Sequence, residues 1–246
     1  MSVLTYNISQ GVGRPAMKAS VMAYYSFDTG GAADDSPGHR YPLSDYGGGF
    51  LLQPGKIGQG ANGSTLGSAD TAFCFSDGAG TDTPFWGNLW MKRANSNSPC
   101  YIVTKQSAGA VTAQEWRLTF TTNVVLRFVL IAYNNTANNL QVDYNIAAMN
   151  TTDIHMITWA YDATKATTGM RVWLDGVLLS GTPTTTGTFL GMVRQTASPF
   201  LLNPAYSGTF KAYQMVDEVA IGKGYILTQA DVNYLYNGGA GRSLFH

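Results

Sequence analysis

The sequence predicts an all-β fold of two packed antiparallel sheets with one short C-terminal helix. Apolar residues recur in short runs, several of them alternating with polar residues. Clusters of Gly, Asn, Asp, Pro and Ser separate the runs at roughly even spacing, the pattern of a sandwich or barrel rather than of strands alternating with helices. The chain has 28 Gly and 14 Tyr among 246 residues, with abundant Asn and Thr, which suits strands joined by tight turns. Helical periodicity appears once, near the end. Thr228 offers its hydroxyl to free backbone N–H groups, Val232, Leu235 and Tyr236 fall on one face, and Gly238-Gly239 ends the run.

Residues 1–19 contain Gly11, Gly13 and Pro15 and show neither a helical nor a strand period, so they read as an N-terminal arm before one domain spanning 20–246. Strands are expected at 20–27, 71–75, 85–93, 101–105, 116–121, 124–133, 140–146, 155–161, 171–179 and 213–221. In 85–92 the alternation puts Phe85, Gly87, Leu89 and Met91 on a core face. Trp86, Asn88, Trp90 and Lys92 fall on a mixed face expected to be exposed or ligand-facing. In 171–174, Arg171 and Trp173 share one face, and Val172 and Leu174 the other. Residues 124–131 are apolar on both faces apart from Arg127, so that strand should be covered on both sides. Asp175-Gly176 supplies the positive φ angles of a two-residue type I′ hairpin.

Charged residues make up 12% of the chain and the formal net charge is zero. Nucleic acid and anionic membrane both need a basic surface, so neither is expected as a partner. No charged segment followed by an apolar stretch opens the chain, and no apolar run of about 18 residues occurs, so neither a signal peptide nor a membrane span is expected. Assembly into a virus particle in the host cytoplasm is a route that needs no signal peptide. Cys74 and Cys100 fit no zinc or redox spacing; they are two buried free thiols or one disulfide.

Five stretches in order resemble the laminin G-like jelly-roll domain of the concanavalin A-like lectin and glucanase superfamily. They are Tyr24 to Asp28 with Asp35-Ser36-Pro37-Gly38; Gly55-Lys56-Ile57-Gly58; Phe85 to Arg93; His155 to Asp162 with Arg171 to Gly176; and Asp217 to Ile221 with Leu227-Thr228 and Leu235 to Gly238. They span residues 20–244. The resemblance implies a two-sheet jelly-roll sandwich and leaves function open, because this fold hosts lectins, hydrolases, adhesion modules and spacers.

Glucanases of that superfamily use two glutamates and an aspartate on one strand, in line with the need for paired carboxylates at a glycosidic bond. This chain has only Glu115 and Glu218, far apart, and no Glu-x-Asp-x-x-Glu segment, so no catalytic residue is expected. Gly58 to Gly63 matches Gly-x-Gly-x-x-Gly, but no helix follows it, and it reads as a loop. His155 reads as a hydrogen-bonded structural imidazole. The resemblance implies a calcium site, for which Asp28, Asp35 and Asp217 match the family's acidic positions; the alternative is that they cap turns. A glycan site needs aromatic faces beside polar groups, and Trp86, Asn88, Trp90, Lys92, Arg171 and Trp173 are the candidates.

The expected function is that of a non-catalytic structural or decoration protein of a bacteriophage virion, on the capsid surface, a fibre or the tail. The arm would dock to other virion proteins or to copies of the chain, with a trimer as one arrangement. The alternative is a carbohydrate-binding or adhesion module for cell-surface glycans. An open tryptophan face would favour the glycan reading, and a covered one the structural role.

Overall fold

The computed structural model describes residues 14–28, 30–94, 99–106, 114–135, 137–204 and 211–245. Its strands form two eight-stranded antiparallel sheets. In the first, neighbours run Val177–Leu178, Met170–Leu174, Ile154–Tyr161, Phe85–Arg93, Tyr213–Lys223, Gln59–Asn62 and Leu52–Pro54, and Val21–Tyr25 also pairs with Tyr213–Lys223. In the second they run Gly181–Thr186, Asn139–Asn145, Val125–Ile131, Gln114–Thr122, Cys100–Gln106, Phe200–Leu202, Leu66–Ser68 and Ser44–Asp45.

The inner faces of the two sheets enclose one core. Phe75 stacks on Phe85 with ring centroids 4.3 Å apart, Phe73 on Phe200 at 4.4 Å, and Trp116 and Trp159 lie among them, fully buried. Two glycines let indoles lie flat on the first sheet. Gly87 sits directly across from Trp159 on the inner face, where a Cβ would meet Trp159 Cζ2 at 2.1 Å. Gly222 sits across from Trp86 on the outer face, where a Cβ would meet Trp86 Nε1 at 2.0 Å.

The C-terminal helix covers Gln229–Tyr236. A capping box at Thr228 and Asp231 starts it, and Asn237 at φ 50° closes it. The Asp175-Gly176 turn takes φ 50° and 81°, the positive values that a type I′ hairpin needs. Three sequence expectations differ from the structure. Residues 71–75 hold a 3-10 turn, Thr71–Phe73, rather than a strand, because the Asp70 carboxylate accepts the Ala72 N–H at 2.7 Å and winds the chain. Pro15–Ser20 is a short helix with Met17 fully buried, so residues 14–19 lie on the domain, while 1–13 of the expected arm fall outside the described residues. Gln59–Asn62 of the glycine motif is a strand paired with Tyr213–Lys223, not a loop.

Cys74 and Cys100 are free and buried, and burial pushes each thiol up to about 11. Among the described residues no helix is long and apolar enough to cross a membrane.

The Gly87–Trp159 pair gives a direct check on the packing. Gly87→Ala forces the added methyl into a buried ring and is expected to destabilise the fold by about 1–3 kcal/mol in urea unfolding. An unchanged midpoint would place Trp159 elsewhere.

Candidate functional site

The expected aromatic face is closed. Trp86, Trp90 and Trp173 do share the outer face of the first sheet, but they are at most 2% exposed. Met17, Leu227, Val232, Leu235 and Leu244 pack over them and form a second apolar core with them. Tyr236 stacks on Trp90 with centroids 5.8 Å apart. The polar edges of the indoles are used internally: Trp86 Nε1 donates to Ser20 Oγ at 3.0 Å and Trp173 Nε1 to Gln229 Oε1 at 2.8 Å. Asn88 is buried and accepts from Thr158 Oγ1 at 2.7 Å, and Lys92 is half-buried. Uncovering three indoles at about 25 cal/mol per Å² costs on the order of 10 kcal/mol. Millimolar to micromolar binding returns only about 4–8 kcal/mol, less than that cost.

The acidic residues brace turns. Asp35 Oδ2 accepts the Ser26 N–H at 2.9 Å and its hydroxyl at 2.8 Å, and Asp28 Oδ1 accepts the Gln59 N–H at 2.7 Å. Asp217 Oδ2 accepts from the N–H groups of Lys56 and Ile57 at 2.7 and 2.9 Å, and Oδ1 from that of Glu218 at 2.8 Å. Asp34, in the same acidic loop, holds the N–H groups of Tyr24, Ser36, Arg40 and Tyr41. Among the described residues no three His, Cys, Asp or Glu side chains gather to hold a metal ion. His155 Nδ1 lies 2.6 Å from Asp175 Oδ2, and Asp175 Oδ1 accepts the Met156 N–H at 2.8 Å, which ties the two strands at their hairpin end.

Glu218 is a strongly perturbed acid. It sits in a bulge of the Tyr213–Lys223 strand with φ 50°, a left-handed conformation that costs a non-glycine residue energy. Its Oε2 accepts from the Tyr24 hydroxyl, and its buried Oε1 has no hydrogen-bond partner. The same Tyr24 oxygen accepts the Leu244 N–H at 3.2 Å and lies 3.0 Å from Ser243 Oγ, so Glu218 is linked to the C-terminal segment that covers the tryptophans. Burial pushes Glu218 up to about 8, and burial, with Asp28 nearby, pushes Asp217 up to about 7.

An accessible concave site lies at one side of the sandwich. There the last two strands of the first sheet, Met170–Leu174 and the edge strand Val177–Leu178, face the last two of the second, Asn139–Asn145 and the edge strand Gly181–Thr186, across a groove of about 290 Å³. Arg171, Thr167, Thr168 and Tyr144 supply its polar lining, and Leu178 and Pro183 are among its apolar residues. The threonines stand on a 3-10 turn, Thr167–Gly169, that closes only because Gly169 lacks a side chain: a Cβ there would lie 2.0 Å from Asp162 Oδ1. Gly181 lets the opposite strand pass over Tyr144, where a Cβ would meet the ring at 2.7 Å. The Tyr144 hydroxyl donates to the Met170 carbonyl at 2.9 Å. Burial raises the Tyr144 pKa, and the charge of Arg171 acts against that rise.

Of the six residues proposed from sequence for a glycan, Arg171 alone lines this groove. Tyr144, Thr167, Thr168, Leu178 and Pro183 were missed. Only Pro183 carried a signal, through the run Gly181 to Thr186, whose lack of alternation marks a strand exposed on both faces.

The chain is similar in fold to several solved structures. One is the botulinum neurotoxin serotype D binding domain, with TM-score 0.61, 14% identity, 91% of this chain and 53% of that chain. A second is described as "Cell entry of botulinum neurotoxin type C is dependent upon interaction with two ganglioside molecules", with TM-score 0.62, 14% identity and coverage of 91% and 52%. A third is the binding domain of botulinum neurotoxin DC in complex with rat synaptotagmin II, with TM-score 0.60, 12% identity and coverage of 90% and 52%. The chain thus spans about half the length of these proteins. No family model matches the chain, and no curated protein matches it.

The two raised carboxyls fix the sign of a pH dependence. The folded state holds protons on Glu218 and Asp217 that the unfolded chain releases near the ordinary values of 4.5 and 3.8. Their stabilisation is therefore complete below about pH 4 and is lost as pH rises through 7 to 8. Unfolding free energy is expected to fall by on the order of 5 kcal/mol between pH 5 and pH 8.5. Glu218→Gln should flatten that slope; a slope unchanged in the variant would show that Glu218 ionises freely in the folded protein.

Proposed function

We propose that this chain is a non-catalytic binding module, a laminin G-like jelly roll that holds a glycan in the groove at its sandwich edge. The observation that carries the reading is the lining of that groove. A sugar presents hydroxyl groups on its rim and apolar C–H faces. The groove sets threonine hydroxyls and a guanidinium beside Leu178 and Pro183, which matches both.

The similar solved structures support the reading. One is described by the dependence of botulinum neurotoxin type C cell entry on two ganglioside molecules, and another is the binding domain of botulinum neurotoxin DC in complex with SialylT. The state of the glutamates supports the non-catalytic part. Glu115 uses both carboxylate oxygens on the N–H groups of Phe75 and Gln195, and Glu218 is buried against Tyr24, so neither is placed to act on a glycosidic bond.

A second reading, that of a structural or decoration protein of a bacteriophage virion, is favoured by the closed tryptophan face. The side chains best suited to a ligand are used for packing, and the low charge content, 12% of the residues, fits a protein that assembles with others. The two readings are compatible, since a virion protein can also bind host glycans.

The full chain screened on immobilised glycans is expected to bind at least one class. Thr168→Trp fills the groove from an exposed position and should abolish that binding while shifting the thermal midpoint by no more than ~2 °C. Binding that survives Thr168→Trp would move the site away from the groove.

A further inference from the structure

We infer that the groove selects acidic sugars, with a carboxylate of the ligand seated on the guanidinium of Arg171; this rests on the glycan reading of the same groove. Among the described residues that line it, Arg171 is the only charged one, and no carboxylate lines it. An anion entering the groove therefore meets the guanidinium with no acid in the lining itself; the carboxylate paired with Arg171, that of Asp162, lies outside the lining.

The guanidinium is held without being used up. Its ionic contact is Asp162 Oδ2 at 3.6 Å, well beyond the 2.7–2.9 Å of a direct charged hydrogen bond. The other oxygen of Asp162 is occupied by Thr164, accepting its N–H at 3.1 Å and its hydroxyl at 2.6 Å. Asp162 thus orients Arg171 while leaving its N–H fork open, and the Arg171 side chain is 39% exposed. That planar fork matches a carboxylate in a two-bond arrangement, a match no neutral hydroxyl reproduces.

The surroundings complete the fit to a sugar acid rather than to a free inorganic anion. Thr167 and Thr168 stand one turn before Arg171, within the same lining, and offer hydroxyls to ring substituents. Leu178, 51% exposed, gives an apolar surface for the C–H face of the ring. An inorganic anion would use the arginine and leave both features idle.

The test uses matched pairs of probes against the full chain: sialyllactose with lactose, and oligogalacturonate with its methyl ester. The acidic member of at least one pair is expected to bind about tenfold or more tightly than its neutral partner, with the preference shrinking as salt rises. Arg171→Gln should remove the preference. Leu178 is an exposed residue of the lining, so Leu178→Glu should weaken the acidic probe by a larger factor than its neutral partner. Equal binding of acidic and neutral partners, or a preference that persists in Arg171→Gln, overturns the inference and leaves the glycan reading standing. Failure of every glycan, acidic and neutral, to bind overturns both.

Discussion

The first sheet is apolar on both faces, and the rest of the molecule is arranged to cover it twice. Its inner face carries Leu89, Ile157, Trp159 and Val216, and the second sheet closes over them. Its outer face carries Trp86, Trp90, Trp173 and Ala220, which no second sheet covers. The short helix before Val21, the Gln229–Tyr236 helix and the final segment through Leu244 take that role. The two cross-strand glycine–tryptophan pairs, one on each face, show the same demand at atomic scale: each indole lies where a Cβ on the opposite strand would collide with it.

The second cover needs polar fastening, because helix ends and a terminal segment carry backbone groups that no strand satisfies. Tyr24 supplies part of it. Its hydroxyl joins Glu218 on the sheet to Ser243 and Leu244 on the cover, while Lys18 donates to the Leu244 carbonyl at 2.8 Å. The bulge at Glu218 turns its carboxyl outward beneath this cover, and the strained φ and raised pKa are the cost of placing an acid there. The sandwich edge, where the last two strands at one end of each sheet meet, is a concave surface separate from that covered face.

The parts legible in the sequence were those set by local pattern. Phe85–Arg93 runs as its alternation predicts, and Thr228 and Asp175-Gly176 act as their chemistry requires. Strands such as Leu66–Ser68, Phe200–Leu202 and Ser44–Asp45 are two or three residues long, and their pairing comes from neighbours distant in sequence, so no period reveals them. The alternation of Trp86 and Trp90 was read correctly, but not what lay above it. Met17, Val232 and Leu244 are remote in the chain, and an aromatic stripe looks the same whether a helix or water covers it. The groove was illegible for a related reason: Tyr144, Thr167, Arg171, Leu178 and Pro183 come one or two at a time from separate segments, with no motif among them.

All five tryptophans of the chain lie within the two cores, each at most 2% exposed. Collisional quenching of tryptophan fluorescence by iodide in the full-length protein therefore tests the double covering most directly. The account predicts one inaccessible population, with quenching far below that of the urea-unfolded chain. A distinct population quenched as readily as in the unfolded chain would show that Trp86, Trp90 and Trp173 face water and that the outer cover is not formed.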